Sequence, residues 1–157
     1  MIKIDLLKNH PETIPHLAKM WLELLGQHWV PEVTLAQAEQ KFHDHLNEDK
    51  LSLAFVALEN NKLVGMCCLR VNDGIREELK PWLGSLIVDQ SYQNRGIGQQ
   101  LMDTVKMQAK HMGYNVLYLL TFDKTLPQYY QRHGWREIGK DILKSHPVTL
   151  MSTVLQL

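Results

Sequence analysis

Two kinds of apolar pattern alternate along the chain. Short runs with a two-residue period or continuous apolar character predict strands at 2–7, 51–59, 62–72, 81–89, 115–122, 135–143 and 147–155. Longer segments with apolar residues at helical intervals predict helices at about 12–26, 35–47, 96–112 and 126–133. This order predicts a mixed α/β domain, with one central sheet and helices on both of its faces.

Local signals place several of the boundaries. Gly26 is a candidate stop for the first helix, and Thr34 is a good N-cap for the second. Asn60–Asn61 predicts a tight turn that joins the second and third strands in a hairpin. Gly113 is expected to end the third helix. The run NVLYLLTF at 115–122 is continuously apolar, which favours a strand buried on both faces.

Composition narrows the class of protein. The 157 residues contain no linker-like stretch, so we expect a single domain over 1–157 with a proper core. Lys+Arg and Asp+Glu number 17 each, and this balance argues against a nucleic-acid-binding protein. No apolar run approaches a membrane span, and the first residues do not resemble a signal peptide. The adjacent positions of Cys67 and Cys68 disfavour a disulfide between them, and their apolar surroundings predict core thiols. A cytoplasmic location is therefore expected.

The stretch YQNRGIGQQLMDTV, residues 92–105, places Gly96 and Gly98 at a helix start, although glycine is a poor helix former. The first amides of a helix lack internal partners and favour an anion, and glycines would let a phosphate approach them. The alternative is a loose turn that binds nothing. A Walker loop is excluded because Gln99 and Gln100 follow Gly98, and the dinucleotide fingerprint fails because position 101 is Leu.

The pattern that fits is Gln-x-x-Gly-x-Gly at 93–98, preceded by LGSLIVDQSY. Together these segments resemble the acetyl-coenzyme A loop of the GNAT superfamily of N-acetyltransferases. A second segment, QYYQRHGWREI at 128–138, is similar to another signature of this family, a Tyr followed after three residues by Gly and an aromatic residue. The order of strands and helices also agrees. The resemblance implies a GNAT-like fold with a mostly antiparallel sheet of about seven strands.

The resemblance also implies a set of cofactor-binding residues. Backbone groups of the fourth strand would hold the pantetheine arm, at a bulge that separates this strand from the fifth; by match they are Leu86, Ile87 and Val88. The pyrophosphate would lie on the loop and first helical turn formed by Gln93, Asn94, Arg95, Gly96, Ile97, Gly98 and Gln99. Arg95 carries the only full charge there, so its side chain is the leading candidate for a phosphate contact.

Tyr130 matches the family tyrosine that lies near the sulfur of the coenzyme. The resemblance implies that it acts as a general acid toward the departing thiolate. The alternative is that its ring only packs in a short helix. Asp123 stands where the family often has Asn, and this departure puts the usual amide contact to pantetheine in doubt. Asp123 could contact the substrate amine or cap the short helix.

The reaction also needs a neutral amine, and therefore a route for its proton. Glu77 and Glu78 lie in the loop before Pro81–Trp82 and are the candidate bases, although loop glutamates are often only solvated. His133 is a further candidate, with a place on the surface of a helix as the alternative. Trp82 could line the acceptor pocket or belong to the core. No metal site is expected, because the eight histidines are dispersed without ligand spacing.

The function implied is transfer of an acetyl group from acetyl-CoA to a primary amine by direct attack in a ternary complex. Cys67 and Cys68 have no matching base, which argues against an acyl-enzyme. The alternative is an acyl-CoA-binding sensor or interaction module without turnover. The acceptor, a small-molecule or peptide amine, is not readable, although Glu77 and Glu78 hint at a cationic one. Similar proteins commonly dimerise through their last strands, and the sequence leaves a homodimer open.

Overall fold

A seven-stranded mixed sheet forms the centre of the computed structural model, which describes residues 1–155. The strands are β1 (Ile2–Leu6), β2 (Leu53–Glu59), β3 (Lys62–Arg70), β4 (Trp82–Val88), β5 (Val116–Thr121), β6 (Arg136–Leu143) and β7 (His146–Val154). Their order across the sheet is β1-β2-β3-β4-β5-β7-β6. Only β4 and β5 pair in parallel; every other neighbouring pair in the described chain is antiparallel. The predicted α/β class and mostly antiparallel sheet are confirmed.

Five α-helices accompany the sheet. They are α1 (Ile14–Trp21), α2 (Gln27–Trp29), α3 (Leu35–His43), α4 (Ile97–His111) and α5 (Leu126–Gln131). A π-helical segment, Leu22–Gly26, joins α1 to α2, and single 3₁₀ turns occupy Leu7–Asn9, Pro11–Thr13 and Gln90–Tyr92. Within residues 1–155, no helix combines the length and apolar character needed to cross a bilayer.

The helices lie on both faces of the sheet, because the central strands carry buried side chains on each of their two faces. On one face, Leu101 and Val105 of α4 pack against side chains such as Val64 of β3. On the other face, Leu17 of α1 and Phe42 of α3 pack against the opposite side of the same strands. The two apolar layers are the principal cores and hold β2, β3 and β4 in place.

Most of the predicted local signals are confirmed. Thr34 Oγ1 accepts from the backbone N–H of Gln37 at 3.1 Å, and the side chain of Gln37 accepts from the Thr34 N–H at 2.9 Å, which completes a capping box. Asn60 and Asn61 have φ of 51° and 67°, as a two-residue hairpin turn requires. Gly113 follows α4 with φ of 95°.

The prediction that Gly26 ends the first helix is wrong. The chain stays helical through the π segment and α2 as far as Trp29. Gly26 lies against the ring of Trp21, and a Cβ at this position would fall 2.4 Å from ring atom Cζ3. The glycine is therefore required for close packing. The second helix also ends earlier than predicted, at His43 rather than near Asn47.

The prediction that β5 is buried on both faces is also wrong. Its burial alternates, with Leu117 and Leu119 buried and Tyr118 and Leu120 only partly buried. The less buried face is apolar because Tyr118 and Leu120 pack against a small cluster formed by Trp82, Val148 and Leu150. Leu120 also lines a cavity. Apolar character along a strand does not distinguish a covered face from a cavity wall.

The cavity exists because β4 and β5 diverge. Their pairing is restricted to Trp82 and Tyr118. Farther along β4, a bulge places Ser85 and Leu86 between the pairs that Gly84 and Ile87 form with β3. Ser85 has φ of 51°, and it lies at this irregularity. The bulge and the separation of the two strands agree with the expectation from the sequence.

Candidate active site

Two cavities meet where β4 and β5 separate. The first, which we call the aromatic cavity, has a volume of about 600 Å³ and is bordered by Trp21, Trp29 and Phe122 among others. The second, which we call the loop cavity, has a volume of about 460 Å³ and is bordered by the loop that precedes α4. Three residues line both cavities, namely Leu86, Leu126 and Tyr130. The two cavities therefore adjoin and share part of their walls.

The loop cavity is built around the start of α4. Gly96 is the N-cap residue and has φ of 80°, a left-handed conformation that glycine adopts without strain. No side chain caps this helix, and the first internal bond runs from the N–H of Gln100 to Gly96. The amides of the first turn are thus available to an anion, and the helix dipole favours one.

Most of the predicted cofactor-binding residues line the loop cavity: Leu86, Val88, Gln93, Asn94, Gly96, Ile97, Gly98 and Gln99. Two do not. The Arg95 guanidinium lies over the ring of Tyr92, 5.0 Å from its centroid, and Ile87 packs into the core beneath α1 and α3. A phosphate contact from Arg95 would need its side chain to turn, whereas Ile87 was expected to contribute only its backbone.

Hydrogen bonds within the loop give the cavity its shape. The Gln93 side chain donates to the Val88 carbonyl at 3.0 Å, which ties the loop to the end of β4. Asn94 adopts φ of 66°, a conformation that asparagine tolerates better than most residues. A Cβ on Gly98 would lie 3.5 Å from the Tyr129 hydroxyl and 3.9 Å from Val88 Cγ2, two residues that line the loop cavity.

Tyr130 occupies the junction of the two cavities. It is only 8% exposed, and its ring makes edge contacts with Tyr129 and Trp135, with centroid separations of 5.3 and 6.1 Å. Burial raises the pKa of its hydroxyl well above the ordinary value, so the group remains protonated at neutral pH. The packing fixes the ring while leaving the residue in the wall of both cavities.

The predicted bases lie elsewhere. Glu77 and Glu78 are exposed, and neither borders the two cavities, so their catalytic role stays a prediction without geometric support. His133 borders the loop cavity beside Tyr129, with ring centroids 4.7 Å apart. Trp82 is fully buried core, and its indole donates to the Leu79 carbonyl.

Asp123 caps the local turn. Its carboxylate accepts from the backbone N–H and the hydroxyl of Thr125, at 2.8 and 2.7 Å. These hydrogen bonds hold the pKa of the carboxyl below its ordinary value. Asp123 does not line the aromatic or the loop cavity. Asp123 therefore closes the turn before α5 without capping the helix, whose N-cap residue is Thr125 and has no side-chain cap. The predicted helix cap is wrong, and contact with a substrate has no geometric support.

A buried polar network forms part of the aromatic cavity, and the sequence analysis missed it. At its centre is Arg70, the last residue of β3, which is 7% exposed. Its guanidinium donates to Asp73 Oδ1 at 2.9 Å, to Ser85 Oγ at 2.9 Å and to His45 Nε2 at 3.0 Å. The Ser85 hydroxyl also accepts from the Trp21 indole at 3.1 Å. The network joins the helices to the bulge in β4.

Two further members of this region have perturbed pKa values. His45 donates from Nδ1 to the Lys41 carbonyl at 2.7 Å, and burial next to Arg70 lowers its pKa to about 4. Lys41 Nζ lies 4.2 Å from the centre of the Trp21 ring, and burial together with the charge of Arg70 lowers its pKa to about 8. The one signal in the sequence was Gly84, a glycine inside a predicted strand, which can mark a close approach of another group. In the structure, a Cβ on Gly84 would lie 2.7 Å from Arg70 Nη1.

A comparison with known families identifies the family of this chain. The model of the "Acetyltransferase (GNAT) family" matches residues 18–135, which is well over half of the chain. The chain belongs to the GNAT acetyltransferase family. No curated protein sequence matches it significantly.

Solved structures share the GNAT fold with this chain at low sequence identity. A GNAT acetyltransferase from Streptococcus pneumoniae is 20% identical, with a TM-score of 0.72 over 99% of this chain and 100% of that one. An aminoglycoside 6'-N-acetyltransferase complexed with coenzyme A is 18% identical, with a TM-score of 0.75 over 100% and 98%. N-acetylglutamate synthase from Neisseria gonorrhoeae is 17% identical, with a TM-score of 0.76 over 100% of this chain and 36% of that one.

Membership of the GNAT family supports an acetyl-transfer activity with acetyl-CoA as co-substrate. The loop cavity fits this ligand, because it combines uncapped helix amides with glycines that leave them accessible. Among residues 1–155, no group of three His, Cys, Asp or Glu side chains could hold a metal ion. Cys67 and Cys68 are fully buried, and burial raises the pKa of both thiols, which disfavours either as a nucleophile.

Proposed function

We propose that this GNAT protein is an N-acetyltransferase, which transfers the acetyl group of acetyl-CoA to the primary amine of a small molecule or peptide by direct attack in a ternary complex. The observation that carries the proposal is the meeting of two cavities at Leu86, Leu126 and Tyr130. One cavity has the features of a phosphate site, and the other is large enough for a separate small molecule.

The loop cavity is the site for the donor. The amides of the first turn of α4 would bind the pyrophosphate, with Gly96 and Gly98 keeping the approach open. The backbone of β4 near Leu86 and Val88 would hold the pantetheine arm, because pairing with β5 is lost along this part of the strand. The thioester would then lie near the junction of the two cavities.

The chemistry follows from that position. The amine nitrogen attacks the thioester carbonyl carbon, and a backbone N–H at the bulge in β4 stabilises the negative charge on the oxygen. The carbon–sulfur bond then breaks, and Tyr130 gives its proton to the departing thiolate. The nitrogen loses its extra proton to water, and through water this proton returns to Tyr130. The amide and CoA are the products. Direct attack requires no acyl-enzyme, which agrees with the burial of Cys67 and Cys68.

A thermal-shift series is the first test of donor binding. Purified protein is heated with CoA, acetyl-CoA, ATP or NAD. A ligand at a hundred times its Kd adds about 2.7 kcal/mol to the free energy of unfolding, which raises Tm by about 5 to 10 °C in a domain of this size. We expect this rise with both CoA forms and none with ATP or NAD. The absence of any rise with CoA, in folded protein, would overturn the proposal.

Thiol release then tests turnover. Acetyl-CoA is incubated with the protein and a panel of primary amines, and free CoA is measured with a thiol reagent. We expect amine-dependent release and an N-acetyl product of matching mass. Binding of CoA without release by any amine would favour the alternative, a non-catalytic acyl-CoA-binding module.

A further inference from the structure

The walls of the aromatic cavity suit an apolar body. Trp29 and Phe122 meet edge to face, with ring centroids 4.4 Å apart, and Trp21 borders the same space. Leucine and valine side chains supply much of the remaining wall. The volume of about 600 Å³ lies in the range of ordinary small-molecule sites. An aromatic or branched aliphatic group would be buried here.

Five charged side chains border this cavity: Glu32, Lys41, Arg70, Asp73 and Lys144. Arg70 and Asp73 form an ion pair with a separation of 2.9 Å, so they largely neutralise each other. Glu32 and Lys144 are exposed and lie in solvent contact. The charge that remains in the more enclosed part of the cavity is the ammonium group of Lys41.

Lys41 lacks an anionic partner in the part of the chain that the structure describes. None of the ion pairs within residues 1–155 includes it, and its Nζ lies over the face of Trp21. Among residues 1–155, no fully buried side-chain nitrogen or oxygen lacks a hydrogen bond, so Lys41 Nζ is not such an atom. A partly buried ammonium is costly unless an anion or water accepts its protons. The cationic Arg70 nearby adds to that cost.

We propose that the acceptor is an amino acid-like amine with an apolar body and a carboxylate, and that Lys41 binds this carboxylate inside the aromatic cavity. The inference rests on the proposed function, which it deepens by naming the acceptor class. One ammonium group matches one carboxylate, whereas a phosphate normally meets several cationic or amide donors. An acceptor with a second positive charge would lie beside Lys41 and Arg70 and would be repelled.

This replaces the hint of a cationic acceptor that the sequence offered. That hint depended on Glu77 and Glu78, and both are exposed residues outside the two cavities. The side chains that the fold brings to the aromatic cavity have the opposite balance: three are cationic and two are anionic.

Calorimetric titration of matched ligands tests the assignment without turnover. The protein, saturated with CoA, is titrated with 3-phenylpropionate and with 3-phenylpropanamide, which differ only in the charged group. We expect the acid to bind at least about tenfold more tightly than the amide, since hydrogen bonds to charged groups are among the stronger ones. The same titrations are made with Lys41→Met, Lys41→Arg and Lys19→Met, the last an exposed lysine on α1.

The Lys41→Met variant should bind acid and amide within about twofold of each other, while Lys41→Arg and Lys19→Met keep the preference. Equal binding by the wild type, no binding of either compound, or a preference that survives in Lys41→Met would each overturn the assignment. CoA is titrated separately into every variant. If the wild type binds CoA normally but shows no preference for the acid, only the acceptor class is refuted. If the wild type does not bind CoA, the proposed function is refuted.

Discussion

Tyr130 combines a fixed position with a hydroxyl that is protonated at neutral pH. Its neighbours Tyr129 and Trp135 hold the ring, and burial keeps the hydroxyl protonated. The Tyr130→Phe variant retains the packed ring and loses only the hydroxyl group. We expect kcat to fall by about 100-fold, as is typical for loss of a general acid. KM for acetyl-CoA should change little, and steady-state thiol release measures both constants.

Tyr114→Phe provides the matched control for that variant. Tyr114 lies just beyond α4, outside both cavities, so its hydroxyl should have no effect on kcat. If Tyr130→Phe retains full kcat while binding CoA normally, the tyrosine has only a packing role. The proton would then reach the thiolate from water or from another group.

In the proposed function, donor binding depends on the start of α4, and a substitution at Gly98 separates binding from folding there. Its backbone is helical, so alanine causes no strain and should leave the free energy of unfolding unchanged or raise it by up to about 1 kcal/mol. The new Cβ would approach Tyr129 and Val88, which line the loop cavity. We expect Gly98→Ala to weaken CoA binding at least about tenfold, which corresponds to about 1.4 kcal/mol.

Calorimetric titration with CoA measures the affinity of Gly98→Ala, and urea unfolding measures its free energy of unfolding. Gly139→Ala is the control, since Gly139 lies in β6 with no atom within 4 Å of an added Cβ. The control should bind CoA as the wild type does. Unchanged CoA affinity in Gly98→Ala would show that the ligand does not contact this turn.

The elements that the sequence predicted correctly depend on neighbours in the chain. The Thr34 capping box, the Asn60–Asn61 turn and the glycines at the start of α4 each act over a few residues. The polar network does not, because Arg70 joins residues 25 positions before it and 15 after it. Gly26 was misread for the same reason. Its role is set by the ring packed against it, which no helix-stop rule considers.

At the scale of the whole molecule, the same network joins the helical layer of α1 and α3 to the central sheet. Lys41 in α3 and His45 just beyond that helix connect through Arg70 to β3 and to Ser85 in β4. Breaking a buried pair of this kind typically costs several kcal/mol, because it leaves an uncompensated buried charge. The layer that closes the aromatic cavity is therefore held partly by groups whose charge depends on pH.

His45 makes the stability of the domain sensitive to acid. Its pKa is about 4 in the folded protein and about 6.5 when exposed, so the unfolded chain binds the extra proton first. As the pH falls from 6.5 toward 4, the folded state loses stability, on the order of 2 kcal/mol by pH 4.5. Urea unfolding at pH 7 and pH 4.5 measures this loss in the free energy of unfolding. The loss should be smaller for His45→Gln than for the wild type, by on the order of 2 kcal/mol. His43→Gln, an exposed histidine of α3, should behave as the wild type, and equal losses in all three proteins would contradict the assignment.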